Sequence, residues 1–196
     1  MLVQTTHPTL LIRSRDCQDR VAWHEFCHRY GELIRNFARH QNLQPADCDD
    51  VLQDVLMALT TALPRFRYDR SRGKFRSYLK TVALNAIFAR SRSRKREVAI
   101  DDVKSSSSGL VVGNHAVEHI WDLQWRQYHL RHAMRRIDAE FNEADRTAFT
   151  HYAIDGFSAK DTAESLGLSM DQVYQAKSRI LKRLSEIIEQ QVHEEG

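Results

Sequence analysis

The stretch GFSAKDTAESLGLSMDQVYQAKSRILKRL, residues 156–184, decides the fold. Ser158 stands where a helix N-cap is wanted, with Asp161 three residues on, so one short helix opens there and ends at Leu166-Gly167. Ser169 caps the next helix, and Gln172 completes an S-x-x-Q box. A short capped helix, a tight turn through glycine and a longer capped helix make a helix-turn-helix layout. Small Ala163 at the helix crossing, Gly167 in the turn and Val173 pointing inward fit the same frame. The last helix buries Val173, Ala176, Ile180, Leu184 and Ile187. Asp171, Gln172, Gln175, Ser178, Arg179 and Lys182 then face outward, with Tyr174 and Lys177 at the margins. Upstream, Asn142 caps another helix that runs to Gly156, preceded by helical pattern from about His115 carrying Trp121, Trp125 and Tyr128.

Working toward the N-terminus, Val98–Asn114 holds Ser105–Gly109 and no helical period, which predicts a flexible linker. Before it the pattern predicts three helices: Asp16 to about His40 with the stripe Trp23, Cys27, Tyr30, Ile34, Phe37; Pro45 to Leu63 with Leu52, Val55, Leu56, Leu59, Leu63; and Ser77 to about Arg96 with Leu79, Val82, Ala83, Ala86, Ile87. The expected architecture is all-α: a helical domain over 10–97, a linker over 98–114 and a helix-turn-helix domain over 115–191.

Composition narrows the function classes. The chain has 196 residues, 28% of them charged, and no apolar run of the roughly 18 residues a membrane span needs. Three scattered cysteines give neither a disulfide framework nor a Cys-x-x-Cys knuckle, so a reduced cytoplasmic protein is expected. Glycine-rich phosphate loops are absent. The net charge of +3 hides a concentration: residues 64–97 hold 12 Lys/Arg against 2 Asp/Glu, whereas residues 137–184 total −2. Such a block favours a polyanionic partner.

Within that block Phe66, Tyr68, Phe75 and Tyr78 alternate with cations around Gly73. Rings for unstacked bases and cations for the backbone suit single-stranded nucleic acid. Phe66 and Phe75 fit a buried role equally well. Asp50, Gln53, Asp54 and Met57 lie at i, i+3, i+4, i+7 opposite the buried side of their helix, which suits a protein partner with a basic surface or a plain solvated face. A competing motif is His24-Glu25-Phe26-Cys27-His28, which fits H-E-x-x-H, the pattern of zinc peptidases. It lacks an evident third ligand and a substrate cleft.

These residues carry a family resemblance. Asp47 to Val55 resembles the acidic D-x-[ED]-D-x-x-Q-[ED]-x motif of bacterial sigma factors of the small extracytoplasmic-function type. Phe75-Arg76-Ser77-Tyr78-Leu79 through Asn85 is similar to that family's F-R-x-W-L…A-x-N pattern, and Gly156 to Leu184 resembles its helix-turn-helix. The resemblance implies a factor without catalysis or cofactor that binds core RNA polymerase and promoter DNA, with no membrane role. An anti-sigma factor often accompanies the family.

On this basis Asp47, Asp49, Asp50, Gln53, Asp54 and Met57 would dock on polymerase (the β′ clamp, with the β subunit also a partner). Arg65, Arg67, Tyr68, Arg72, Lys74, Phe75, Arg76, Tyr78, Lys80 and Asn85 would take the single strand at the minus-ten element. Ser169, Asp171, Gln172, Tyr174, Gln175, Lys177, Ser178 and Arg179 would read the minus-thirty-five element. Tyr78 where tryptophan is usual, Ala89 for an acid, Thr162 for isoleucine and Tyr174–Lys177 for K-S-R-L depart from the family pattern and leave the promoter sequence open. A stand-alone helix-turn-helix regulator, whose basic block grips phosphate, is the runner-up.

Overall fold

The computed structural model describes residues 7–65, 75–101 and 114–195, and every regular element among them is helical. By contact, the chain divides into two compact units: Met1–Tyr128 with Glu194–Gly196, and His129–His193. No helix among the described residues is long and apolar enough to cross a membrane.

The first unit opens with α1 (His7–Arg13) and α2 (Arg20–Arg39). The expected start of α2 at Asp16 moves to Asp19. Asp16 Oδ1 accepts the Gln18 N–H at 2.8 Å, a local bond that competes with helix, and Asp19 then caps α2 by accepting from Ala22 N at 2.9 Å. The buried stripe of α2 is also rotated from expectation. Phe26, Tyr30, Ile34 and Phe37 are fully buried, with Ala22 and Leu33, while Trp23 and Cys27 sit at the margin. The helix α3 (Pro45–Ala62) begins with proline at its first turn, where the missing N–H costs nothing, and Leu63–Arg65 tightens into a 3-10 turn. It buries Cys48, Val51, Leu52, Val55 and Leu59. The helix α4 (Phe75–Asp101) starts two residues earlier than expected and runs through residues 98–101 of the predicted linker; residues 102–113 lie outside the described residues.

The next helix, α5 (Asn114–Glu140), is shared. Its first half was expected in the second domain, yet Val117, Trp121, Trp125 and Tyr128 belong to the core of the first unit. Trp121 meets Phe37 edge-on at 4.8 Å, and Tyr128 stacks on Tyr30 at 5.3 Å. Rings of this size bury where an aromatic wall is available, and offset or edge-on pairs add to the area term. The compact units divide at Tyr128/His129.

A buried polar group completes this unit. Arg29, deep in α2, donates from Nε to Tyr128 Oη at 2.8 Å and from Nη2 to Glu195 Oε1 at 2.5 Å, and Tyr128 Oη donates to the same carboxylate at 2.8 Å. Glu195 is fully buried, and burial raises its carboxyl pKa despite the opposing pull of Arg29.

The second unit holds the end of α5, α6 (Glu143–Phe149), α7 (Ala159–Leu166) and α8 (Met170–Glu195), the last ending in the first unit. Asn142 caps α6 as expected, accepting from Asp145 N at 2.8 Å. The helix does not run unchanged to Gly156: it widens into a π turn over Thr150–Ile154 before Gly156 takes φ +80°. Ala133, Ile137, Phe149, Ile180, Leu184 and Ile187 form one buried cluster, and Ala148, Ala163, Val173 and Ala176 a second.

Candidate nucleic-acid and polymerase interface

In the second unit the capping frame is realised atom by atom. Ser158 Oγ accepts from Asp161 N at 3.1 Å and donates to the Asp161 carboxylate at 2.7 Å. Gly167 ends α7 in the left-handed conformation at φ +65°. Ser169 Oγ then accepts from Gln172 N at 3.2 Å while Gln172 Oε1 accepts from Ser169 N at 2.7 Å, so this capping box closes from both sides. With these ends set, Val173, Ala176, Ile180, Leu184 and Ile187 of α8 are all buried as expected.

Ser169, Asp171, Gln172, Tyr174, Gln175, Ser178 and Arg179 are exposed, and Lys177 is half-buried. Beyond the Ser169–Gln172 box, three of these carry local ties. Arg179 donates to Asp145 at 2.8 Å, and Lys177 lies 4.7 Å over the Tyr152 ring, which meets Tyr174 edge-on. The amide, hydroxyl and guanidinium groups of this face match base edges and phosphates of a duplex groove. In α7, Thr162 is buried and its hydroxyl has no hydrogen-bond partner among the described residues.

In the first unit the sequence-derived sets divide. Of the acidic set, Asp50, Gln53, Asp54 and Met57 form one strip along α3, with Met57 67% exposed. Asp47 turns inward to Arg90 Nε at 2.9 Å, and Arg90 also pairs with Asp50. Asp49 points away toward α2, where Arg35 Nε donates to it at 2.5 Å.

Of the basic set, Arg67, Tyr68, Arg72 and Lys74 lie outside the described residues, as does Phe66. Arg65 is exposed. Phe75 is corrected to a core residue: it is fully buried, 5.6 Å from Tyr30 and edge-on to Phe26, so its ring is not presented to a base. Tyr78 is partly exposed, and burial of its inner edge pushes its phenol pKa up. Arg76 pairs with Asp122 and lies 5.6 Å over the Trp125 ring, and Lys80 pairs with Glu118 at 2.5 Å.

Along α4, Ser77, Thr81, Asn85 and Phe88 follow one another at three- and four-residue steps as an exposed strip. Phe88 escaped the sequence reading, although its signal was there: position 88 falls off the buried set Leu79, Ala83, Ala86, Ile87. An exposed ring beside an exposed amide is what base stacking requires.

His24 and His28 are exposed one turn apart on α2, and Glu25 between them pairs with Arg13 at 3.9 Å. Among the described residues no group of three or more His, Cys, Asp or Glu is placed to hold a metal, so the H-E-x-x-H motif finds no third ligand there.

Comparison with known proteins matches two segments of the chain. Residues 26–97 match the Sigma-70 region 2 model and residues 139–184 the Sigma-70 region 4 model. The chain is similar to the ECF RNA polymerase sigma factor SigM of Mycobacterium tuberculosis, at 24% identity over 180 residues, 91% of this chain and 83% of the relative. Solved structures with likeness to it include CnrH in complex with the cytosolic domain of CnrY (21% identity, 92% of this chain, 96% of that chain, TM-score 0.37). Another is the sigma factor RpoE in complex with the anti-sigma factor NepR from Bartonella quintana (21%, 84%, 97%, TM-score 0.33). With regions 2 and 4 in order on an all-helical chain, the protein belongs to the sigma-70 family as a sigma factor of the extracytoplasmic-function type, acting with RNA polymerase on promoter DNA in transcription initiation.

Proposed function

We propose that the protein works in the cytoplasm without catalysis, docking on the clamp of core RNA polymerase through the α3 strip Asp50, Gln53, Asp54 and Met57. The observation that carries this is the exposed methionine flanked by carboxylates on the face opposite the buried side of α3. A flexible apolar side chain with acids around it suits a basic helical partner: the charges steer encounter and the thioether supplies contact area. The α4 strip of Asn85 and Phe88, with Tyr78 and the cations Arg65, Arg76 and Lys80, takes unstacked bases and phosphates of the melted minus-ten strand. The α8 face from Ser169 to Arg179 reads the minus-thirty-five duplex. The second unit is not basic, which supports a division of labour in which polymerase provides most of the promoter affinity. These same surfaces are where an anti-sigma factor would compete.

The test is gel filtration with core polymerase, wild type against Asp50→Arg/Asp54→Arg. Wild type co-elutes and the charge-reversed variant does not. Absence of co-elution by the wild type, with retardation of a duplex by the protein alone, would refute the reading and leave a free-standing regulator.

A further inference from the structure

Arg76 and Lys80 stand one turn apart at the start of α4, and both are held by carboxylates from a single helix. Asp122 takes Arg76 and Glu118 takes Lys80. Glu118 and Asp122 are themselves one turn apart on α5, so their Cβ atoms lie about 5–6 Å from each other on one face. Two negative charges thus follow the two cations in register, as successive phosphates along a strand would.

The helix that carries them is fixed. Trp121, Trp125 and Tyr128, from the same stretch, are buried in the core of the first unit. The carboxylates are not: the Glu118 and Asp122 side chains are 49% and 46% exposed. A rigid backbone therefore offers displaceable acids at the rim. Arg76 has a further reason to stay in place, since the Trp125 ring under its guanidinium holds it whichever anion it faces.

We propose that Glu118 and Asp122 are an internal substitute for the nucleic-acid backbone: they occupy Arg76 and Lys80 in the free protein and yield them to the phosphates of single-stranded DNA. This rests on the reading above that Arg76 and Lys80 take the melted strand. Each phosphate contact then exchanges one ion pair for another, so a dilute strand gains little from these two cations. A strand concentrated at the site by polymerase displaces the acids by mass action. The device suppresses binding of stray single strands without moving a helix. A purely structural role, tying α5 to α4, would instead make the acids matter for stability alone.

The test uses the full chain with Glu118→Gln/Asp122→Asn and a fluorescently labelled single strand of mixed sequence, followed by anisotropy across a salt series. The double variant binds about tenfold tighter at low salt, and its log–log salt slope steepens by about 1.4, two contacts at about 0.7 each. Each single substitution, which spares the other ion pair, gives about a threefold gain. Adding Arg76→Gln/Lys80→Gln to the double variant cancels both the gain and the added slope. Unchanged strand binding in the double variant, with Arg76→Gln/Lys80→Gln still weakening it in wild type, overturns the inference and spares the functional reading. No effect of Arg76→Gln/Lys80→Gln in either background overturns the assignment of those cations. An equal gain from Asp155→Asn/Glu189→Gln, exposed acids of the second unit, overturns the inference in favour of net charge.

Discussion

Replacing Thr162 by valine isolates one buried atom. Thr162 lies in α7, 1% exposed, and its hydroxyl has no hydrogen-bond partner among the described residues. A buried hydroxyl left unbonded costs about 1–3 kcal/mol relative to water. Valine has the same branched shape, so no cavity opens and no neighbour is pushed. The swap also exchanges the hydroxyl for a methyl, whose burial contributes about 0.8 kcal/mol. Thr and Val have nearly equal helix propensity, so the local backbone term cancels. Taken at its lower end, the sum is a stabilisation of about 2 kcal/mol. For a unit of the size of His129–His193, each kcal/mol moves the midpoint by about 4–8 °C, so calorimetry would show its transition rising by about 10 °C. Thr162→Ser supplies the control: it keeps the hydroxyl, loses a buried methyl and lowers the midpoint. Duplex binding by the polymerase complex stays unchanged, because residue 162 is not on the exposed face. If the valine variant melts at or below the wild-type temperature, the hydroxyl has a partner in solution and the reasoning fails.

Other outcomes follow from the same reading of burial and local geometry. The Glu195 carboxyl is raised above its ordinary value by burial, so its contribution to the first unit is fully present below about pH 4.5 and is lost as pH rises through the folded value; Glu195→Gln abolishes that dependence in a pH series of thermal melts, and an unchanged dependence would place the carboxyl in water. Glu140 acts with the opposite sign in the second unit. Its pKa is lowered, chiefly by hydrogen bonding from Arg183 and then Arg136, so its contribution is present above about pH 4.5 and is lost on acidification, a loss that Glu140→Gln removes. Gly167→Ala meets open space but holds φ +65°, so it lowers the second unit's stability by about 1 kcal/mol in denaturant titration; an increase in stability would show that the turn relaxes out of the left-handed region.

What the sequence determined by itself is what local bonding controls. The helix ends at Ser158, Gly167 and Ser169 were legible because a cap satisfies backbone N–H groups only three residues away, and a left-handed terminus calls for glycine at one position. The inner and outer faces of α8 were legible because every buried position on it follows the helical period. The same holds for α3, where Gln53, Asp54 and Met57 are exposed opposite the buried side.

Tertiary structure alone decided what each apolar face packs against. Periodicity marks Trp121, Trp125 and Tyr128 as one side of a helix, but only the aromatic wall of Phe37 and Tyr30 draws them into the first unit. Phe75 sits in a basic, ring-bearing stretch that reads as a binding loop, and the pocket beside Phe26 and Tyr30 claims it for the core. Arg29 and Glu195 are 166 residues apart, and the pairing of Arg76 and Lys80 with α5 spans 46 and 38. No local pattern encodes such partners, because burial and ion pairing depend on which surfaces meet when the helices close on one another.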